Sequence, residues 1–448
     1  MKSILRTGLL MLITQFCGAQ SWSLVGCGLY KSFVICGNYP KVDILNGYNG
    51  RIYASGGFSN SCSVSVPGLG QWDGNKWDTV SNGIHSPLLA TYNGNLYNAN
   101  YYNGEQISEW NGSSWSIIAN TNNSVSVLLV YNGNLYAAGT FDSLNKLPMN
   151  HIAMWNGISW LNVGVGVGSG VDHIASMLEY NGNLIVGGSF TTAGGNPANN
   201  VAQWDGANWS ALGAGVTGTS LGFSYPVMSM VGYNGNLIVG GAFTNAGGNP
   251  DNYIAQWNGI SWSNLSSGMT ACSTCGGGVY SLAIYNGNLC VGGWFDSAGG
   301  ISALNIVKWN GSTWSNIGSV GSLPLIVSTL YAYDSVLYAG GQGIMENESV
   351  FQWSDFAVIT GTDKLSSINS LTIFPNPSNG VFTFQIALNT SGQIVVYNLL
   401  GEKVYDATLR QAQGDNQIDL SMHPAGMYLY RIMDGLGNSI AKGKLIIK

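Results

Sequence analysis

A module that recurs seven times, and is cut open at the chain ends, limits what this chain can fold into more than any other feature. A full copy opens with a segment such as Tyr180-Asn181-Gly182-Asn183-Leu184-Ile185-Val186-Gly187-Gly188 and ends with one such as Trp204-Asp205-Gly206-Ala207-Asn208-Trp209. The first Trp of the closing segment falls at Trp72, Trp110, Trp155, Trp204, Trp257, Trp309 and Trp353. The second follows five residues later, at Trp77, Trp115, Trp160, Trp209, Trp262 and Trp314. The seventh copy lacks it. The missing piece stands at the other end of the chain, as Trp22-Ser23-Leu24-Val25.

Successive copies are 38 to 53 residues apart and rich in Gly and aromatics. That period suits a β-propeller better than a helical solenoid. Each copy reads as four short strands, with Asn-Gly or Asp-Gly turns between strands one and two and between three and four. Such dipeptides tolerate positive φ and are strong hairpin signals. No segment sustains a 3.6-residue period. The expected fold is all-β: a seven-bladed β-propeller closed by the N-terminal strand, followed by a small C-terminal β-sandwich. The paired Trp residues read as packing between units, because a residue present in every copy serves the repeat.

Composition narrows the partners. Between Ser21 and Trp353 there are 6 basic and 14 acidic residues, a net charge of −8. Six basic residues give no phosphate-tracking surface, which argues against nucleic acid and anionic membrane. Abundant Asn, Ser, Gly, Tyr and Trp make a neutral polar surface that suits carbohydrate or another uncharged polymer. Residues 1–20 read as a secretory signal, with Lys2 and Arg6 before the apolar Leu9–Phe16 stretch. A lipoprotein reading would anchor Cys17, but Thr14-Gln15-Phe16 before it is bulky and polar. No later apolar run is long enough to span a membrane. Export permits disulfides. Cys27 with Cys36 is the simplest pair, and Cys272 with Cys275 a second, although six cysteines beyond the signal leave 15 connectivities.

The strand order places the long, variable connections on one face, where ligands are expected. Candidate ligand-binding residues there are Asp142 and Asp296, which follow Phe141 and Phe295, and the repeat-breaking pair Asp172-His173. Trp294 is a stacking candidate because the same position is Ser189 and Ala242 in neighbouring copies. No catalytic residue is assigned. A glycosidase would need two carboxylates across a cleft, and no pair is placed for that. Gly213-x-Gly215-x-x-Gly218 and Gly218-Thr219-Ser220-Leu221-Gly222 match nucleotide-binding and hydrolase spacings, but neither precedes a helix. No cofactor is indicated. Asp172, Asp251 and nearby carbonyls could hold calcium, though no EF-hand-like loop is present.

After Trp353 the period stops. Phe374-Pro375-Asn376-Pro377, Val396-Tyr397-Asn398-Leu399-Leu400-Gly401, Gly426-Met427-Tyr428-Leu429-Tyr430-Arg431-Ile432 and the basic end Lys442–Lys448 follow. This segment resembles the type A C-terminal sorting domain of the type IX secretion system of Bacteroidota. The resemblance implies export to the periplasm, passage through the outer membrane by the type IX machinery, and release or surface attachment. The repeats resemble kelch-related propellers. The expected organisation is signal 1–20, propeller 21–358, linker 359–369 and sorting domain 370–448. The expected role is non-catalytic recognition or adhesion, toward glycan or another extracellular polymer or protein. The alternatives are a polysaccharide hydrolase or lyase, and a structural surface protein.

Overall fold

The computed structural model describes residues 23–26, 29, 41–48, 51–61, 64–80, 88–99, 106–110, 114–170, 172–220, 225–271, 277–303, 305–317, 326–333, 336–342, 350–353, 371–386, 392–398, 403–409, 415–433 and 439–448. The chain divides into two compact units, Met1–Asp355 and Phe356–Lys448. Every regular element among the described residues is a strand. The signal segment and Cys27, Cys36, Cys272 and Cys275 lie outside the described residues. Among the described residues Cys290 is buried on a strand.

The fourth repeat shows how the sequence builds one unit. Its strands are His173–Tyr180, Asn183–Ser189, Val201–Trp204 and Trp209–Ala211, paired antiparallel in that order. Asn181 and Gly182 both take positive φ, 50° and 77°, in the first tight turn. In the second, the Asp205 carboxylate accepts N–H bonds from Ala207 and Asn208 at 2.7 and 2.6 Å. Asn156, Asn258 and Asn310 do the same in their own units. The short side chain is thus a turn device, which is why Asn and Asp exchange freely there.

The Gly-Gly pair has two separate causes. The first strand carries a bulge between Ile174 and Ser176, opposite the pair. A Cβ on Gly188 would overlap the His173 carbonyl oxygen across this bulge. Gly187 faces outward from its unit, and its Cβ would meet the Val227 side chain of the next unit. Gly240 meets Val279, Gly292 meets Val327, and Gly340 meets Val42 in the same way. One glycine shapes the hairpin and the other lets two units approach.

The Trp pairs also join units. Within each pair the rings are tilted, with centroids 5.3 Å apart for Trp204 and Trp209. The second indole then reaches the chain leaving the preceding unit. Trp209 Nε1 donates to the Val163 carbonyl at 2.9 Å, and Trp262 Nε1 to that of Leu212 at 2.7 Å. Trp77 Nε1 donates to Val25 O at 3.0 Å. Trp160 differs, with a buried Nε1 that has no partner. The preceding unit is irregular: its third strand slips register between Ile107 and Ser108 against a longer fourth strand, Trp115–Asn120. The hydrophobic cores accordingly lie between units. One combines Tyr131, Tyr136 and Ile152 of the third with Ile174, Val186, Trp204 and Trp209 of the fourth.

The described residues of the first unit form seven four-stranded sheets. The last, of Ile326–Tyr333, Val336–Gln342 and Val350–Trp353, takes its fourth strand from Ser23–Leu24, in register Ser23 to Gln352 and Leu24 to Phe351. The closed seven-bladed propeller expected from the sequence is nevertheless corrected by the topology. Among the described residues no sheet closes into a barrel or propeller. Each four-stranded sheet there is an open ladder, and no continuous ladder passes from one to the next. Neighbours meet through side chains, single bridges such as Val167 to Ala193, and two-residue pairings such as Val216–Thr217 with Asn245–Ala246. The repeat fixes pairing inside a unit, where tight turns set the register. It carries no information about hydrogen bonding between units. The arrangement is propeller-like, all-β and helix-free among the described residues.

The second unit holds a three-stranded sheet of Leu371–Phe374, Val381–Ile386 and Asp415–Asp419. A four-stranded sheet orders Lys403–Leu409, Gly392–Tyr397, Gly426–Met433 and Ser439–Ile447. Phe382, Phe384, Ile418, Ile394, Val396, Tyr430, Ile432 and Leu445 form one core between them. Asn376 of the Phe-Pro-Asn-Pro segment donates from Nδ2 to Lys444 O at 2.7 Å and accepts from Ile446 N at 2.9 Å. Those two bonds tie the opening motif to the last strand.

Candidate functional site

Five outer hairpins lie between strands two and three of their units, at Asn60–Ser65, Ser143–Pro148, Thr192–Pro197, Asn245–Pro250 and Ser297–Ser302. They share a face with the entries to the first strands, as the hairpin connectivity requires. Three units supply the best-defined polar and aromatic cluster on that face. His173, at the start of the fourth unit's first strand, is 9% exposed. Its Nε2 lies 2.7 Å from Ser126 Oγ of the third unit. The ring of Tyr225, just before the fifth unit's first strand, meets it edge-on with centroids 4.7 Å apart and planes at 61°. Tyr225 itself is 42% exposed.

Burial pushes the His173 imidazole down to about 4, with the nearby His151 adding in the same direction. The ring is therefore neutral near pH 7. Its Nδ1 is buried and has no hydrogen-bond partner. A Ser–His pair needs a third group on that nitrogen to orient it as a base. The neighbouring Asp172 does not serve, because its carboxylate accepts the Ser169 N–H at 2.8 Å. The arrangement instead fixes the imidazole, and the imidazole supports the tyrosine ring.

His151 is 1% exposed at φ 69°. The corresponding Asn200 and Asn305, at φ 64° and 66°, accept N–H bonds from Phe190 and Phe295. Burial lowers the His151 pKa, against the weaker pull of Asp172. Asp251, 3% exposed, is a buried carboxylate, and burial pushes it up to about 7 against a smaller effect of the Asn252 N–H. Among the described residues no three His, Cys, Asp or Glu side chains gather as a metal site. Among the described residues no helix is long and apolar enough to cross a membrane, which says nothing of β-barrels.

The expected site residues are dispersed. Asp142 is exposed in the third unit, where its Oδ1 accepts from Asn122 Nδ2 at 2.6 Å and its carbonyl from Met149 N. Asp296 is exposed in the sixth, where its carbonyl accepts from Ala303 N at 2.8 Å. Trp294 ends the sixth unit's second strand opposite Gly278 and is half-buried. Only His173 joins the cross-unit cluster. Ser126 and Tyr225 were missed in the sequence. A comparison of copies could have flagged Tyr225, since its position is Asn123 and Asp172 in the two preceding units.

Residues 372–448 match the family described as a secretion system C-terminal sorting domain. Residues 181–203 and 234–258 match the Domain of unknown function (DUF5122) beta-propeller. The chain thus joins a sorting domain to a propeller-like region, as type IX secretion cargo does. No curated protein matches the chain. Among solved structures it is similar to an extracellular domain of B. thetaiotaomicron assigned to a hybrid two-component system, at 13% identity and a TM-score of 0.50. That match covers 82% of this chain and 44% of the other, so this chain spans under half its length. A second extracellular domain from the same organism, assigned to a one-component system, matches at 13% identity and 0.47, covering 88% and 48%. The β-propeller domain of the Trilobed protease from Pyrococcus furiosus matches at 9% identity and 0.43, covering 71% and 94%. At 13% identity the first of these likenesses concerns the fold alone.

Proposed function

We propose that this chain is a non-catalytic recognition module of the cell exterior that holds an uncharged extracellular polymer, glycan foremost, on its loop-bearing face. The single observation carrying this reading is the Tyr225 platform. A tyrosine ring that is 42% exposed and packed at a steep angle against a buried neutral imidazole is pre-organised for stacking on a sugar ring. Bracing by groups from two other units lowers the entropy lost on binding. The sparse charge of the repeat region fits a neutral ligand held by hydrogen bonds and stacking. Trp294, Asp142, Asp296 and Asp172 then belong to the same face as flanking contacts, with His173 as the brace.

The sorting domain supports delivery by the type IX machinery through the periplasm, with signal 1–20, repeat region 21–358, linker 359–369 and sorting domain 370–448. Affinity electrophoresis of the purified protein through gels containing neutral polysaccharides tests the reading. The expected result is retardation by at least one polymer that Tyr225→Ala reduces at least tenfold. Equal retardation of both proteins, or release of reducing or unsaturated ends, would contradict it.

A further inference from the structure

We infer that Asp251 and the adjacent backbone form a binding site for a hard divalent cation, calcium by preference, where the fifth unit's outer hairpin crosses the chain leaving that unit. The repeat makes Asp251 conspicuous. The same position is Val66, Met149, Ala198 and Ala303 in other units, and each of these is buried. Asp251 is equally buried at 3% exposure, yet neither carboxylate oxygen has a well-formed hydrogen bond, and the adjacent Asn252 N–H pulls on it only weakly. A buried carboxylate so short of donors is costly, so its placement calls for a counter-charge.

The backbone around it has moved to suit. In the third and fourth units this crossing is tight. Val167 N–H donates to Asn150 O at 3.0 Å and Val216 N–H to Asn199 O at 3.1 Å. The corresponding Met269 and Asn252 make no such bond. A Cβ placed on Gly166 would stand 2.6 Å from Asn150 O, and one on Gly215 closer still to Asn199 O. At the matching Gly268 the nearest atoms, Asn252 O and Asp251 Oδ1, are both 3.5 Å away. The gap is thus wider by nearly an ångström and is bordered by two oxygens. Among the described residues the Asn252 carbonyl accepts only the Ile254 N–H, at 2.9 Å, leaving one lone pair. Asn252 is exposed, so the gap lies just beneath the surface.

An all-oxygen border with one carboxylate suits calcium completed by water. It suits magnesium less, since magnesium demands a tighter octahedron. One carboxylate and one carbonyl imply weak binding, with a dissociation constant on the order of 10⁻⁴–10⁻³ M, the range of extracellular calcium modules.

The test is thermal unfolding of the full chain at pH 8 after chelator treatment, titrated with CaCl₂, then separately with MgCl₂ and NaCl at matched ionic strength. The wild type should gain a few degrees, roughly 2–4 °C, saturating with calcium. Asp251→Ala, which installs the residue of the fourth and sixth units, and Asp251→Asn should show no calcium response. No calcium-dependent rise in the wild type would overturn the site. So would an equal rise in both variants, or equal rises with matched NaCl.

Discussion

Acidification should destabilise the repeat unit through His173, and the size can be worked out. Burial holds this imidazole at about 4, against an ordinary value of 6.5. Between those values the unfolded chain binds the proton and the native state does not, so stability is fully present above 6.5 and is lost as pH falls toward 4. At 1.36 kcal/mol per unit the whole window is worth about 3 kcal/mol, and the part down to pH 5 about 2 kcal/mol. His151 is lowered by burial too, so it acts in the same direction. The assay is urea unfolding followed by tryptophan fluorescence at pH 7 and pH 5, for the wild type and His173→Gln. Glutamine can still bond Ser126 but does not titrate, and the other ionisable groups cancel in the difference. The wild type should lose about 2 kcal/mol more than the variant between the two pH values. Identical losses would refute the inference that His173 is buried and neutral against Ser126 and Tyr225.

Three further outcomes follow from the packing. Gly188→Ala should cost about 3 kcal/mol, read as a lower urea midpoint, because its Cβ would overlap the His173 carbonyl oxygen and the hairpin bulge must shift. Trp209→Phe should cost about 1–2 kcal/mol more than Trp160→Phe in the same assay, since only Trp209 Nε1 has a carbonyl to lose. Removal of residues 372–448 should leave the repeat region in the periplasm, as judged by cell fractionation with immunoblotting, because the sorting domain is removed with them.

The strands and turns of each unit were legible because their determinants are local. Asn181-Gly182 and the Asp205 turn fix register within a few residues, and Trp204 and Trp209 mark paired edges. How units meet was legible only in the Trp pairs. Gly187 and Gly188 look alike as letters, yet one packs on Val227 and the other spares a carbonyl of its own hairpin. Closure was over-read from the period, since repetition counts units without specifying hydrogen bonds between them. The candidate site was half visible. His173 stood out by breaking the repeat, but Ser126 and Tyr225 lie 47 residues before it and 52 after it, and tertiary packing alone joins them. Asp251 was visible as an acid, and its burial was not. Asp142 and Asp296 occupy one repeat position that is Thr191 and Thr244 in the units between them, so the letters alone do not separate a turn acid from a ligand contact.

The recognition role is tested most directly on a glycan and polysaccharide array probed with the purified wild type and Tyr225→Ala, read for retention and for product release together. The account predicts retention of the wild type on at least one neutral glycan, loss of that retention in the variant, and no product. Retention that ignores Tyr225, release of cleaved product, or a blank array for the folded wild type would contradict it.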